Sequence, residues 1–176
     1  MTNTDHNPLA DAERAEGMFR ELLYIHTLLR RDLLTINRLA KAARDGLDPA
    51  SIVAEIHNLE TNSPLWQLRY GCWHYCRFVH GHHTLEDAAL FPMVRKADPV
   101  LNPIVDKLEW DHLHVHHITE RIVEAAERVP TDPTGIARFE LVQHLGDLET
   151  HLLEHLTLEE QSIGPLLSTW DRWPIE

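Results

Sequence analysis

Apolar residues along most of this chain recur three and four apart, the spacing that stacks them on one face of a helix. From about Glu13 to Arg44, Phe19, Leu22, Leu29, Leu33 and Ile36 make such a stripe. "DGLDPAS" ends it. Asp48-Pro49 then reads as a cap with proline at the first helical position, opening a short helix to about Glu60. Ser63-Pro64 repeats the signal and begins a long helix to about Lys96. "ADPVLNP" breaks the pattern, and Asn102-Pro103 opens a helix to about Arg128. After "VPTDPTG" a last long helix covers about 136–162 and stops before Gly164-Pro165. Few segments alternate with period two, so the pattern predicts an all-α fold. Four long helices with compact connections predict an antiparallel up-down-up-down four-helix bundle over residues 13–167, with a short extra helix between the first two long ones. Residues 1–12 read as a polar arm. Residues 168–176 read as a tail whose Trp170 and Trp173 pack against the bundle end.

The helical stripes are apolar except where histidine and glutamate interrupt them. His26 falls among Phe19, Leu22, Leu29 and Leu33. On the second long helix His82 and Glu86, four apart, share the face of Leu68, Tyr75, Val79 and Met93. On the third, "DHLHVHH" puts His112 and His116 in line with Val105, Leu108, Val123 and Ala126, whereas His114 and His117 point to solvent. On the fourth, His155 and Glu159 join Leu141, Leu148 and Leu152. Two phrases nearly repeat: "HHTLEDAALFP" at 82–92 and "HLTLEEQSIGP" at 155–165. Counting residues from the helix ends brings His26 level with His82, and Glu86 level with His112. His116 and His155 match less well, at about 12 and 19 residues from their shared turn. One layer would thus hold His26, His82, Glu86, His112, His116, His155 and Glu159.

Composition narrows what such a layer is for. The chain has 176 residues, enough for one domain with a sizeable core. Its formal net charge of −12 argues against a nucleic-acid or anionic-membrane surface, which needs a basic face. Fourteen histidines are the compositional outlier. Cys72 and Cys76, four apart on one helix, suit buried thiols better than a disulfide, which points to a reducing compartment. The start lacks an apolar run of signal-peptide type and no stretch reaches a membrane span, so the expected location is the cytoplasm.

Five imidazoles and two carboxylates in an apolar core are costly without a partner, and a cation supplies one. Histidine and carboxylate without thiolate suit iron, manganese or zinc. Seven donors exceed one tetrahedral zinc site. Two ions bridged by both glutamates and one oxygen use eleven of the roughly twelve positions of two six-coordinate ions, leaving one open. An open position is what a small ligand such as O₂ requires.

The ordered set of His26, His82-x-x-x-Glu86, His112-x-x-x-His116 and His155-x-x-x-Glu159 resembles the hemerythrin family, in its bacterial HHE cation-binding branch. The matching stretches are His26, "HHTLED" with Leu-Phe-Pro after it, "WDHLHVHH", and "HLTLEE" followed by proline, covering about residues 15–167. The resemblance implies two non-heme iron ions, oxo- or hydroxo-bridged. By the family pattern His112, His116 and His155 hold one iron, His26 and His82 the other, and Glu86 and Glu159 bridge. Animal hemerythrins place an aspartate five residues after the last histidine. Here Glu159 stands four after His155 and Glu160 five after, and Glu159 is preferred because it repeats the His82–Glu86 spacing.

Three functions remain open on this reading. The complete ligand set favours reversible O₂ binding or sensing. Tyr75, Thr119, His144 and His151, all at core-facing positions, favour an oxidoreductase acting on peroxide, nitric oxide or O₂. For Tyr75 a core phenol bonded elsewhere is the commoner role, and His151 suits an outer partner better than a ligand. The third is an iron-dependent sensor whose fold requires the metal. No flavin or iron–sulfur motif points to a redox partner.

Overall fold

The computed structural model describes residues 17–46 and 64–170. The arm, the 48–60 helix and Trp173 lie outside the described residues. Within them every regular element is helical. Helix α1 is Gly17–Gly46 and α2 is Pro64–Leu85. A π-helical turn, Glu86–Leu90, joins α2 to α3, Phe91–Ala97. Helix α4 is Asn102–Arg128, α5 is Ile136–Ser162, and the single turn α6 is Gly164–Leu167.

Local chemistry explains the breaks. Pro92 has no N–H to continue the α-helical ladder. The Phe91 N–H instead donates five residues back, to the Glu86 carbonyl, and one wide turn absorbs the change. After α3 the Asp98 carboxylate accepts from the Val100 N–H at 3.1 Å and starts a 3₁₀ turn, Pro99–Leu101. Asp132 closes the next turn, accepting from the Thr134 N–H at 2.8 Å and the Ala137 N–H at 2.6 Å. Gly135 takes the left-handed φ of 80° that this turn needs.

Each long helix packs on two others: α1 on α2 and α5, and α4 on α2 and α5. Contacts pair rising residue numbers with falling ones. His26 meets Glu160 where Asn37 meets Glu149, and His80 meets His116 where Arg95 meets Glu109. The chain end folds back on the beginning of α1: the Met18 N–H donates to the Trp170 carbonyl at 2.9 Å, and Trp170 packs on the core beside Phe19. Gly17 (φ 58°) is required there, because a Cβ would stand 2.2 Å from that carbonyl.

The apolar core is divided. One cluster includes Leu29, Leu33, Val79, Val115, Leu152 and Leu156. The other includes Leu22, Leu90, Phe91, Leu108, Ile163 and Leu167. In the gap between them sit His26, His82, His83, Glu86, His112, His155 and Glu159. Along α1, α4, α5 and the run from α2 into α3, the buried residues change from one cluster to the other near the histidines, so the polar residues form a layer with hydrocarbon on both sides.

Candidate metal centre

Helix geometry explains how α2 delivers three side chains to this layer. At about 100° per residue, Glu86 stands roughly 40° round from His82, and His83 roughly 100° round. Glu86 is therefore flanked by the two imidazoles, one on either side. On α5 Glu159 is likewise about 40° from His155. Helices α1 and α4 supply one inward imidazole each, His26 and His112.

The donors fall into two groups. His26, His82, Glu86 and Glu159 form one, and His83, His112 and His155 form the other; within each, all donor atoms lie within 4.8 Å of one another. The carboxylates lie between the groups. Glu86 Oε1 is 3.2 Å from His82 Nε2, while its Oε2 is 3.5 Å from His112 Nε2. Glu159 Oε2 is 3.3 Å from His26 Nε2 and 3.7 Å from His155 Nε2. His112 and His155 bring their Nε2 atoms to 3.2 Å, and the His83 ring stacks on His112 with centroids 3.9 Å apart.

Whether these residues suit a cation is decided by what they lack. Nε2 of His26, His82 and His83, and both oxygens of Glu86 and of Glu159, are buried without a hydrogen-bond partner. Orphaned polar atoms of this number are costly in a core, and all of them face one small volume. The opposite ring nitrogens of two imidazoles are fixed from outside. His26 Nδ1 is 2.7 Å from Glu160, whose same oxygen accepts from Arg30 at 2.7 Å. His112 Nδ1 is 2.7 Å from Asp87. A carboxylate on Nδ1 holds the proton there and leaves Nε2 as the lone-pair donor, the arrangement of metal-binding histidines.

Electrostatics agree. Burial, together with neighbouring imidazoles, pushes the His82 pKa down to about 3, and also lowers His83 and His155. Burial lowers His112 too, against the pull of Asp87. These rings are neutral donors at pH 7. Burial opposes charge on His26, but Glu159 and Glu160 outweigh it and raise its pKa. Burial and the nearby Glu159 push Glu86 well above the usual carboxylate range. Glu159 is also opposed by burial, but His26 holds it below its ordinary value. Without a cation, burial and the neighbouring Glu159 thus favour the protonated form of Glu86, which relieves the repulsion between the two carboxylates.

Of the seven residues expected from sequence, the structure brings six together: His26, His82, Glu86, His112, His155 and Glu159. His116 stands outside both groups, and His83 occupies the place expected for it. The reason is rotational. The buried face of α4, from Leu108 through His112, Val115, Ile118, Thr119 and Ile122, is centred on the far side of His112 from His116. The His116 side chain is 40% exposed, 3.3 Å from Glu120, with its ring 4.7 Å from that of His80. The adjacent pair His82-His83 was the available signal, since Glu86 falls between their directions. Glu160 is the outer partner of His26, and Glu159 belongs to the donor group. Tyr75 donates to the Leu29 carbonyl at 3.1 Å. Thr119 donates to the His116 carbonyl at 2.8 Å. His151 is exposed, edge-on to the His114 ring, and His144 lies 3.8 Å from Asp147, so neither serves the layer.

Comparison with known families decides the kinship. The sequence model of the hemerythrin HHE cation-binding domain matches residues 18–167. The chain belongs to that family. No match is found among curated proteins or among solved structures. Hemerythrin HHE domains bind metal cations, typically iron, and in this one the two His/Glu groups are the residues that can hold them. No helix among the described residues is long and apolar enough to cross a membrane.

Proposed function

We propose that this hemerythrin-like protein carries two non-heme iron ions and binds a small diatomic ligand, O₂ first among them, for storage or sensing. The observation that carries the reading is the position of Glu86 and Glu159. Each carboxylate stands between an imidazole of one donor group and an imidazole of the other. Carboxylates so placed are suited to bridge two ions. His83, His112 and His155 would hold one ion, and His26 and His82 the other. With a bridging oxo or hydroxo oxygen this set again leaves one position open, on the side of His26 and His82. Iron supplies the redox change that O₂ binding requires. The chain's own part is to aim five imidazoles inward, to enclose them between two apolar clusters, and to hold the Nδ1 protons of His26 and His112.

The opposed contacts between neighbouring helices support an up-down-up-down threading. The buried free thiols Cys72 and Cys76, both pushed up to about 12 by burial, support a reducing, cytoplasmic setting. An oxidoreductase acting on peroxide, nitric oxide or O₂ is the second reading, and an iron-dependent sensor the third. The oxidoreductase is less favoured because the Tyr75 hydroxyl, one of the polar groups that would support it, donates to a backbone carbonyl, the role already given as the commoner one.

Metal analysis with ultraviolet–visible spectra should find near two irons per chain and oxygen-to-iron absorption. Zinc, or a single ion, sinks the di-iron reading. O₂ added to the reduced protein should give a new absorption band that disappears under vacuum; rapid, irreversible oxidation, or turnover of peroxide or nitric oxide, favours the enzyme instead.

A further inference from the structure

The donor group of His26 and His82 borders a cleft far larger than a diatomic molecule needs. It lies between α1 and the α2–α3 junction, with a volume of about 630 Å³. Pockets for organic small molecules are typically about 300–1,000 Å³, whereas a molecule the size of water occupies roughly 30 Å³. The walls are hydrocarbon: Met18, Leu22, Ile25, Leu85, Leu90 and Leu167. His82 and Glu86 also line it, with side chains only 7% and 4% exposed, so the layer forms its inner end. Nε2 of His82 and both oxygens of Glu86 are the partnerless atoms noted above. Arg20 and Glu21, both exposed, stand at its rim.

From this geometry we infer that the cleft binds an apolar monocarboxylate of medium chain length, hydrocarbon against the leucines and head group toward His82 and Glu86. The inference rests on the di-iron reading, which places the open position on this side. A hard anionic oxygen suits an iron ion at that position. Among the described residues the lining offers no buried lysine or arginine that would draw an anion elsewhere, and its apolar walls reward each added methylene. Such a ligand would compete with a diatomic one for the same position, so occupancy of the cleft would tune O₂ binding.

Iron content of the full-length protein is measured first. The iron-loaded protein is then titrated calorimetrically with decanoate and with acetate, following the iron absorption bands. Decanoate should bind at least tenfold more tightly than acetate and shift the same bands. Leu85→Glu, at a 57% exposed wall position, should lower the decanoate-to-acetate affinity ratio at least fivefold. Ionic rather than apolar selection, seen as a ratio near one in a chain holding two irons, overturns the cleft assignment and leaves the di-iron reading intact. Equal decanoate affinity in the metal-free chain overturns the head-group placement. If decanoate binds only after deletion of residues 1–12, the occupant is the chain's own arm and the inference fails. A chain that takes up no iron overturns both readings.

Discussion

The two copies of His-x-Thr-Leu-Glu do the same pair of jobs and differ in a third. In each copy the glutamate, Glu86 or Glu159, lies between the two donor groups. In each copy the residue after it is a second acid that grips Nδ1 of an imidazole on another helix: Asp87 on His112, and Glu160 on His26. The residue after the first histidine breaks the symmetry. It is His83 in one copy and Leu156 in the other, a donor against a core leucine. The groups are consequently unequal, with three imidazoles on one side and two on the other. The outer acids are unequal too. Asp87 is 45% exposed, whereas Glu160 is 6% exposed and also paired with Arg30. An inner carboxylate is placed by the repeat, while the difference between the two donor groups is placed by the single residue where the repeat fails.

Removing what the copies share should cost most. Glu86→Ala and Glu159→Ala each take an oxygen from both groups, so either should reduce bound iron from near two per chain to below one. Retention of two irons by both variants would mean that neither carboxylate bridges. Removing the difference comes next. His83→Leu gives the first copy the character of the second and leaves His112 and His155 alone on their side. We expect close to one iron per chain, held by the His26–His82 group. His116→Leu is the control, expected to keep two irons. The reverse result would restore His116 as the third imidazole and show that α4 rotates when metal binds.

The outer acids test the comparison at smaller amplitude. Substitution of an imidazole's outer partner typically weakens metal binding about 10–100-fold. Glu160→Gln should fall near the upper figure, because it also removes the charge opposite Arg30 in a largely buried place. Asp87→Asn, in partial contact with water, should fall near the lower. Competition with a chelator measures both. Equal losses would mean that burial of the outer acid is irrelevant to the ligand it holds.

Most of this fold was legible because helix punctuation here is chemical. Proline at 64, 103 and 165, the "VPTDPTG" break and the periodicity of leucine fixed the start of α2 and both ends of α4 and α5 to within a residue or so, whereas the run expected to continue to about Lys96 is broken after Leu85 by the π-helical turn. The layer was legible for a related reason: a histidine in a leucine stripe is conspicuous, and four-residue spacing makes its glutamate a neighbour. His116 falls outside the two donor groups, although four-residue spacing places it beside His112, because the buried stripe of α4 extends the other way, as packing against α2 and α5 dictates. His83 was missed because two adjacent residues are expected on different faces. Both reach the layer because the space between the two groups is wide enough to accept donors about 100° apart. The π-helical turn after Glu86 follows from Pro92, but its width could not be read from one proline. Outer pairing by Asp87 and Glu160 depends on how neighbouring helices are offset, which no single helix encodes.

Acid titration of the metal-free protein reads stability in place of metal binding and tests the inequality of the two sides together. His82, His83, His112 and His155 have folded pKa values below the ordinary 6.5. As pH falls below 6.5 these rings gain protons in the unfolded chain before they do in the folded one, so each costs stability on acidification. Glu86, raised above 4.5, acts in the opposite sense, keeping in the folded chain a proton that the unfolded chain has released. Four groups against one give a net loss on the order of 2 kcal/mol between pH 6.5 and 5.5. Toward pH 7.5 the four rings become largely neutral in both states, and their contribution fades. There His26, raised by its two glutamates, and Glu86 make stability fall as pH rises. Thermal unfolding of the metal-free chain should therefore show its highest midpoint near pH 6.5, with a decline on both sides. Iron should abolish the alkaline decline, because it replaces the protons on Glu86 and His26, and should steepen the acidic one, because its ligands must be deprotonated. A midpoint that does not change between pH 5.5 and 7.5 without metal would show that the imidazoles are hydrated rather than enclosed, and the unequal donor groups would lose their electrostatic basis.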